Sequence, residues 1–164
     1  MIPFRVGLGY DSHKLVAGRP LMLGGIAVPH SHGLQGHSDA DVLLHAITDA
    51  ICGAAGLPDI GMIFPNTDPR WKDADSGRML EEVAGRAREA QWQIVNVDAV
   101  LIAERPKIAP FVASMRENVA KLLHIEADCV NIRGKTAEGL GALGAGEGMA
   151  AHAVCLLARA EGGT

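Results

Sequence analysis

Gln93-Ile94-Val95-Asn96-Val97-Asp98-Ala99-Val100-Leu101-Ile102-Ala103-Glu104 alternates over a long span, and Val95, Val97, Ala99, Leu101 and Ala103 share one face. That is the period of a strand with one face against a core. On its N-terminal side, residues 76–91 carry Met79, Leu80, Val83 and Ala87 at helical spacing. On its other side, Pro110 starts a further helix with Phe111, Met115, Val119, Leu122 and Leu123 directed inward, and residues 129–133 form another strand. Aromatic residues are only 4% of the chain, so the core is built from Val, Ile, Leu and Ala. The combination predicts an α/β fold, a sandwich of sheet and helices.

Further out, Phe4, Val6, Leu8 and Tyr10 alternate with Arg5, Gly7 and Gly9, which predicts a first strand whose buried face is the apolar set. Asp11 and His13 continue that strand in the opposite phase from Tyr10. Residues 21–23 and 26–28, joined by Gly24-Gly25, read as a short hairpin. Residues 29–37 read as loop. Ser38 is the predicted N-cap of a helix with Asp39 and Asp41 in its first turn, an apolar series from Val42 through Leu43, Ala46, Ile47, Ala50 and Ile51 to Ala54, and Gly56 as terminator. Residues 58–75 have the turn chemistry of a long loop and residues 139–148 that of a glycine-dense turn. Periodicity leaves residues 149–159 open between strand and helix.

The chain has 164 residues and no internal repeat, so one domain over 1–164 is expected. Hydrophobic residues at 48% and charged residues at 21% exclude disorder. A net charge of −4 argues against nucleic-acid binding. No apolar run reaches a membrane span, and residues 1–9 lack the basic flank and apolar stretch of a signal peptide, so the expected location is the cytoplasm. Cys52, Cys129 and Cys155 suggest neither a disulfide framework nor a thiolate metal site.

Asp11 and His13 lie two apart on a strand, so both side chains leave the same face. On the helix that follows Ser38, Asp41, His45, Thr48 and Cys52 fall together opposite the apolar stripe. One carboxylate and two imidazoles make a three-ligand site with an open position, the pattern of a catalytic zinc. Taken singly, each residue has an ordinary role as a cap, a surface histidine or a polar-face helical histidine. Residues 36–41 offer a helix N-terminus suited to phosphate, but Asp39 and Asp41 would repel an anion unless a metal intervened. Spacing does not choose between capping and binding there. The glycines at 139, 141, 144, 146 and 148 match neither a P-loop nor a dinucleotide fingerprint.

In order along the chain stand Gly9-Tyr10-Asp11-Ser12-His13, Gly24-Gly25, Gly36-His37-Ser38-Asp39-Ala40-Asp41-Val42 with His45-Ala46 and Thr48-Asp49-Ala50, and Asp59-Ile60-Gly61 with Phe64-Pro65. Asn96-Val97-Asp98, Pro106-Lys107 and Gly146-Glu147-Gly148 follow. Together they closely resemble the 2-C-methyl-D-erythritol 2,4-cyclodiphosphate synthase family over nearly the whole chain. The resemblance implies a homotrimer of α/β subunits, each with a mostly four-stranded mixed sheet covered by helices, and active sites between neighbouring subunits. It implies zinc on Asp11, His13 and His45, and Mg²⁺ or Mn²⁺ held by Glu138 with the substrate diphosphate. The implied reaction cyclises 4-diphosphocytidyl-2-C-methyl-D-erythritol 2-phosphate with loss of CMP. His37 and Thr136 are the implied catalytic residues.

Implied substrate contacts are Asp11, Ser12, His13, His37 and Ser38; Asp59, Ile60 and Gly61; and a mobile loop of Phe64, Pro65, Asn66, Thr67 and Asp68. Ala103, Pro106, Lys107, Ile108 and Ala109 would form the cytosine pocket, with Lys135, Thr136, Ala137 and Glu138 at the diphosphate. The chain departs from the family at Asn66, where many members have Asp, and at Lys135 and Ala137, where threonines are frequent. The competing reading is a zinc-dependent hydrolase of a phosphorylated small molecule with Asp41 as the local base. A third treats the triad as incidental to a binding module. Neither a nucleic acid nor a membrane is expected as partner.

Overall fold

A computed structural model describes residues 3–160, so both extremes of the domain expected over 1–164 lie outside the described residues. The chain runs β1 (Phe4–Ala17), β2 (Leu21–Leu23), β3 (Ile26–Val28), β4 (His32–Leu34), α1 (Val42–Ala55), α2 (Ile60–Ile63) and α3 (Ser76–Glu89). It continues through β5 (Trp92–Ile102), α4 (Val112–Leu123), β6 (Val130–Lys135), α5 (Gly141–Gly144) and β7 (Gly148–Arg159). The main sheet has five strands in the order β4-β1-β7-β5-β6, one more than the resemblance implied, and β2 and β3 form the expected hairpin apart from it. The added strand lies inside the segment read as loop. β1 continues past His13 to Ala17, and its free edge pairs with β4 through Leu15 and Leu34. β7 is a strand because it has a partner on each side, antiparallel to both β1 and β5. β5 and β6 are parallel and joined through α4. The single face expected along β5 breaks at a bulge between Ile94 and Asn96, which leaves Val95 exposed while Val97, Ala99 and Leu101 stay buried.

The buried face of β1 is the reverse of the one that hydrophobicity predicts. Phe4, Val6, Leu8 and Tyr10 are 53%, 69%, 68% and 53% exposed, whereas Gly7 and Gly9 are buried. Helix α1 crosses the glycine side at backbone distance. A Cβ on Gly7 would collide with the Ala50 carbonyl oxygen, and one on Gly9 with that of Ala46. The alanines at 46, 50 and 54 complete this close approach, and all three are buried. Asp11 and His13 therefore leave the sheet on the helix side.

The helix begins later than Ser38. Its N-cap is Asp41, whose Oδ1 accepts from Leu44 N at 3.0 Å, so no acidic residue lies in the first turn. The same carboxylate accepts from Gly24 N at 3.0 Å and Gly25 N at 2.6 Å, tying the β2–β3 hairpin to the helix start. Burial pushes the Asp41 carboxyl above its ordinary pKa, and the backbone donors oppose that. Ala40, just before it, is buried with φ +58°, a left-handed turn that an L-residue adopts only when its surroundings hold it. Gly56 closes α1 as expected, with φ +74°.

The polar face expected on α1 is covered except at His45, which stays half-buried. Thr48 and Cys52 are buried, because α3 covers the side of α1 away from the sheet, and Thr48 Oγ1 donates to Leu44 O at 2.7 Å. Burial pushes the Cys52 and Cys155 thiols up to about 12, so both are packing residues rather than nucleophiles. Within residues 58–75 the structure adds α2 and a 3₁₀ turn at Pro69–Trp71. Residues 139–148 are likewise not all turn, because α5 occupies Gly141–Gly144.

Candidate active site and metal centre

Asp11 and His13 from β1 meet His45, which lies in the first turn of α1. Asp11 Oδ2 lies 2.8 Å from His13 Nε2 and 3.0 Å from His45 Nδ1, and the two ring nitrogens are 3.2 Å apart. The three ligand atoms all fall within 4.8 Å of one another. Their donor set, one carboxylate oxygen and two imidazole nitrogens, fits a divalent ion of borderline softness. His13 Nδ1 is 2.7 Å from the Gln35 carbonyl oxygen, which can only accept, so Nδ1 carries a hydrogen and Nε2 is the nitrogen that a metal would take. His45 Nε2 meets Ser76 Oγ at 2.8 Å and Ser38 Oγ at 3.2 Å. Burial would raise the Asp11 carboxyl, but hydrogen bonds from both histidines and their charge outweigh it and hold the group at about 2. Burial would lower His13, and the Asp11 carboxylate reverses that and raises it.

The triad forms one wall of a cavity of about 380 Å³ that also takes His37, Ser38, Ile60, Gly61, Phe64 and Asn66 from the expected site, with Trp71 and Met79 added. A second cavity of about 300 Å³ gathers Ala103, Pro106, Lys107, Ile108, Ala109, Lys135 and Thr136, with Glu104 at its edge. The two cavities share no residue within one chain. Thr136 Oγ1 donates to Glu138 Oε1 at 2.7 Å, and Ala137 N donates to Glu104 Oε1 at 2.7 Å, so this loop is braced from both sides. Glu138 is exposed and has φ +52°.

Seven expected residues line neither cavity: Ala137 and Glu138 of the loop just described, and Ser12, Asp59, Pro65, Thr67 and Asp68. Ser12 is exposed on the face of β1 opposite Asp11, in a hollow with His13, Lys14 and Glu147. Asp59 caps α2, accepting from Met62 N at 2.8 Å. Asp68 caps the 3₁₀ turn and pairs with Arg70 at 2.6 Å, which lowers its carboxyl pKa. Pro65 and Thr67 flank Asn66 in the segment between these two caps, and neither lines the cavity. Asp41, the base the hydrolase reading requires, is 0% exposed and holds three backbone N–H groups. It has no access to a water at the triad.

Sequence reasoning missed Ser76, Asp39, Trp71 and Met79 as parts of this site. Met79 was expected in the core and Ser76 as the start of a helix. Their partners lie far away in sequence, 31 positions for Ser76 and His45, and no local pattern signals such a pairing.

The model of the YgbB family matches residues 4–158. The 2-C-methyl-D-erythritol 2,4-cyclodiphosphate synthase of Bordetella avium is 61% identical over 158 residues, covering 96% of this chain and 98% of its own. That of Clostridium perfringens is 53% identical over 155 residues, covering 94% and 99%. Among solved structures, the bifunctional IspDF of Campylobacter jejuni superimposes with a TM-score of 0.93 at 38% identity, covering 97% of this chain, which spans 43% of that longer one. IspF of Plasmodium falciparum in its CDP complex gives 0.86 at 31% identity, covering 98% and 99%.

Proposed function

Since this chain belongs to the YgbB family, we infer that it is a lyase that cyclises 4-diphosphocytidyl-2-C-methyl-D-erythritol 2-phosphate in the non-mevalonate route to isoprenoid precursors. The observation that carries this reading is the meeting of Asp11, His13 and His45 beside His37 and Ser38 in one cavity. A 2-phosphate oxygen forms a bond to the β-phosphorus, and the bond from that phosphorus to the bridging oxygen breaks. The electron pair leaves with CMP, and no water is consumed. The nucleophile is already ionised at neutral pH, so the protein has no strong base to supply.

Zinc on Asp11, His13 and His45 would supply Lewis acidity at the β-phosphate, and a second divalent ion, Mg²⁺ or Mn²⁺, would be held by Glu138. His37 lines the cavity and is within 3.4 Å of the Asp68 carbonyl oxygen, so it sits between the substrate and the 64–68 loop. Thr136, oriented by Glu138, would take the diphosphate at the second cavity. Asp59, Ile60, Gly61 and the residues from Phe64 to Asp68 would hold the erythritol half. The pocket of Ala103, Pro106, Lys107, Ile108 and Ala109 would hold cytosine. Ser12, in the hollow it shares with His13, would add a substrate contact.

The decisive assay measures CMP release in ¹⁸O-labelled water. Cyclisation releases CMP with no label in either product. Label entering a phosphate would instead establish hydrolysis, and absence of CMP would refute both.

A homotrimer acting in the cytoplasm completes the reading, with the whole of residues 1–164 as its single domain. Two features support assembly. Phe4, Val6, Leu8, Tyr10 and Val154 make an uncovered apolar sheet face, and such faces are surfaces for association. The triad and the cytosine pocket are also separate within one chain, so a neighbouring copy can bring the second to the first. Among the described residues no helix is long and apolar enough to cross a membrane. Inactive Lys107→Ala and His13→Ala chains, refolded together, should therefore recover part of the activity through hybrid sites. Mixed trimers with no recovered activity would mean that each subunit holds a complete site.

A further inference from the structure

We propose that Asp39 and Ser76 are positioning residues that fix His45 in the tautomer a metal requires; the inference rests on the metal assignment made above. Ser76 is fully buried, and its Oγ lies 2.8 Å from His45 Nε2. A serine hydroxyl can donate to an imidazole nitrogen or accept from it, so on its own it does not choose the tautomer. Asp39 removes the choice. Its Oδ1 accepts from Ser76 Oγ, and an ionised carboxylate only accepts. The single Ser76 hydroxyl proton is committed to Asp39, and Oγ presents lone pairs to His45. His45 Nε2 must then carry a hydrogen, so Nδ1, which faces Asp11 and His13, is the nitrogen that a metal would take in place of its contact with Asp11.

The carboxylate is itself held in place. Asp39 Oδ2 accepts from Ser76 N at 3.2 Å, and Oδ1 also accepts from Asp41 N at 3.2 Å. Two backbone bonds stitch the loop of Asp39 to the segment before α3: Asp39 N to Ala74 O at 3.0 Å and Asp73 N to His37 O at 2.7 Å. Arg19 braces the same loop by donating to Ser38 O at 2.7 Å and Gly36 O at 3.3 Å. His13 obtains its tautomer from one fixed carbonyl, whereas His45 obtains it from a two-residue relay. Ser38 Oγ, 3.2 Å from the same ring nitrogen, accepts from Ala40 N and is a weaker second contact.

The test compares the full-length parent with Asp39→Asn, Ser76→Ala and the double variant by chelator competition for zinc. Loss of an outer-shell partner of this kind weakens metal binding roughly 10-fold or more. Because Asp39 acts through Ser76, the double variant should bind zinc no more weakly than Ser76→Ala alone. Single-variant affinities within twofold of the parent, or effects that multiply in the double variant, would overturn the relay. A second readout needs no substitution to fold: long-range ¹H–¹⁵N spectra of the zinc-free parent should show a proton on His45 Nε2, and an unprotonated Nε2 would refute the proposal. In Asp39→Asn that preference should weaken. A parent that takes up no zinc at all would overturn the metal assignment and the relay with it; parental zinc uptake with unaffected variants overturns the relay alone.

Discussion

On the proposed zinc site, His45→Ala is expected to take up no zinc and to lose at least about a thousandfold of the CMP-releasing activity while keeping the fold. A bound metal's polarisation of a phosphoryl oxygen contributes several kcal/mol to the transition state, and each 1.36 kcal/mol is a factor of ten in rate. Two remaining ligands do not make the site. The fold should survive because the substitution orphans no buried group. Ser76 keeps Asp39 and Ser38 as partners, Asp11 keeps His13, and alanine is the best helix former for that turn of α1. Elemental analysis, the CMP assay and circular dichroism measure the three parts. A variant with one zinc per chain and parental activity would remove His45 from the site.

Gly9→Ala, a single methyl group, should be more damaging to the fold than the loss of that whole imidazole. The new Cβ would run into the Ala46 carbonyl oxygen and stand 2.6 Å from Ala50 N, both backbone atoms of a buried helix that no rotamer change can move. Relief requires α1 to move off β1, which opens the core between them and separates His45 from Asp11 and His13. A destabilisation above about 4 kcal/mol is expected, well beyond the usual range for a point substitution. Gly85→Ala in α3, where nothing lies within 4 Å of an added Cβ, is the matched control and should be neutral or stabilising by up to about 1 kcal/mol. A Gly9→Ala protein that is soluble and unfolds within 2 °C (roughly 1 kcal/mol or less for a chain of this size) of the parent would refute the close-packing account.

By itself the sequence determined the α/β class, the runs of residues that become α1, α3, α4 and β5, the β2–β3 hairpin and the three metal-ligating candidates. Those features repeat at short range: alternation along Gln93 to Glu104, the inward spacing of Met79, Leu80, Val83 and Ala87, the two-residue step from Asp11 to His13. Only tertiary structure decided which face of β1 is inside. Apolarity selects Phe4, Val6, Leu8 and Tyr10, but burial followed the glycines because a helix had to approach within backbone distance. The N-cap moved from Ser38 to Asp41 because a hairpin distant in sequence supplied two further donors to that carboxylate. Residues 149–159 became a strand because β1 and β5 offered hydrogen-bonding edges on both sides, and residues 32–34 because β1 left an edge free. The coupling of Asp39 and Ser76 to His45 depends on contacts 37 and 31 positions apart. Local periodicity encodes which residues can share a face; what stands against that face is fixed only when the chain has closed around it.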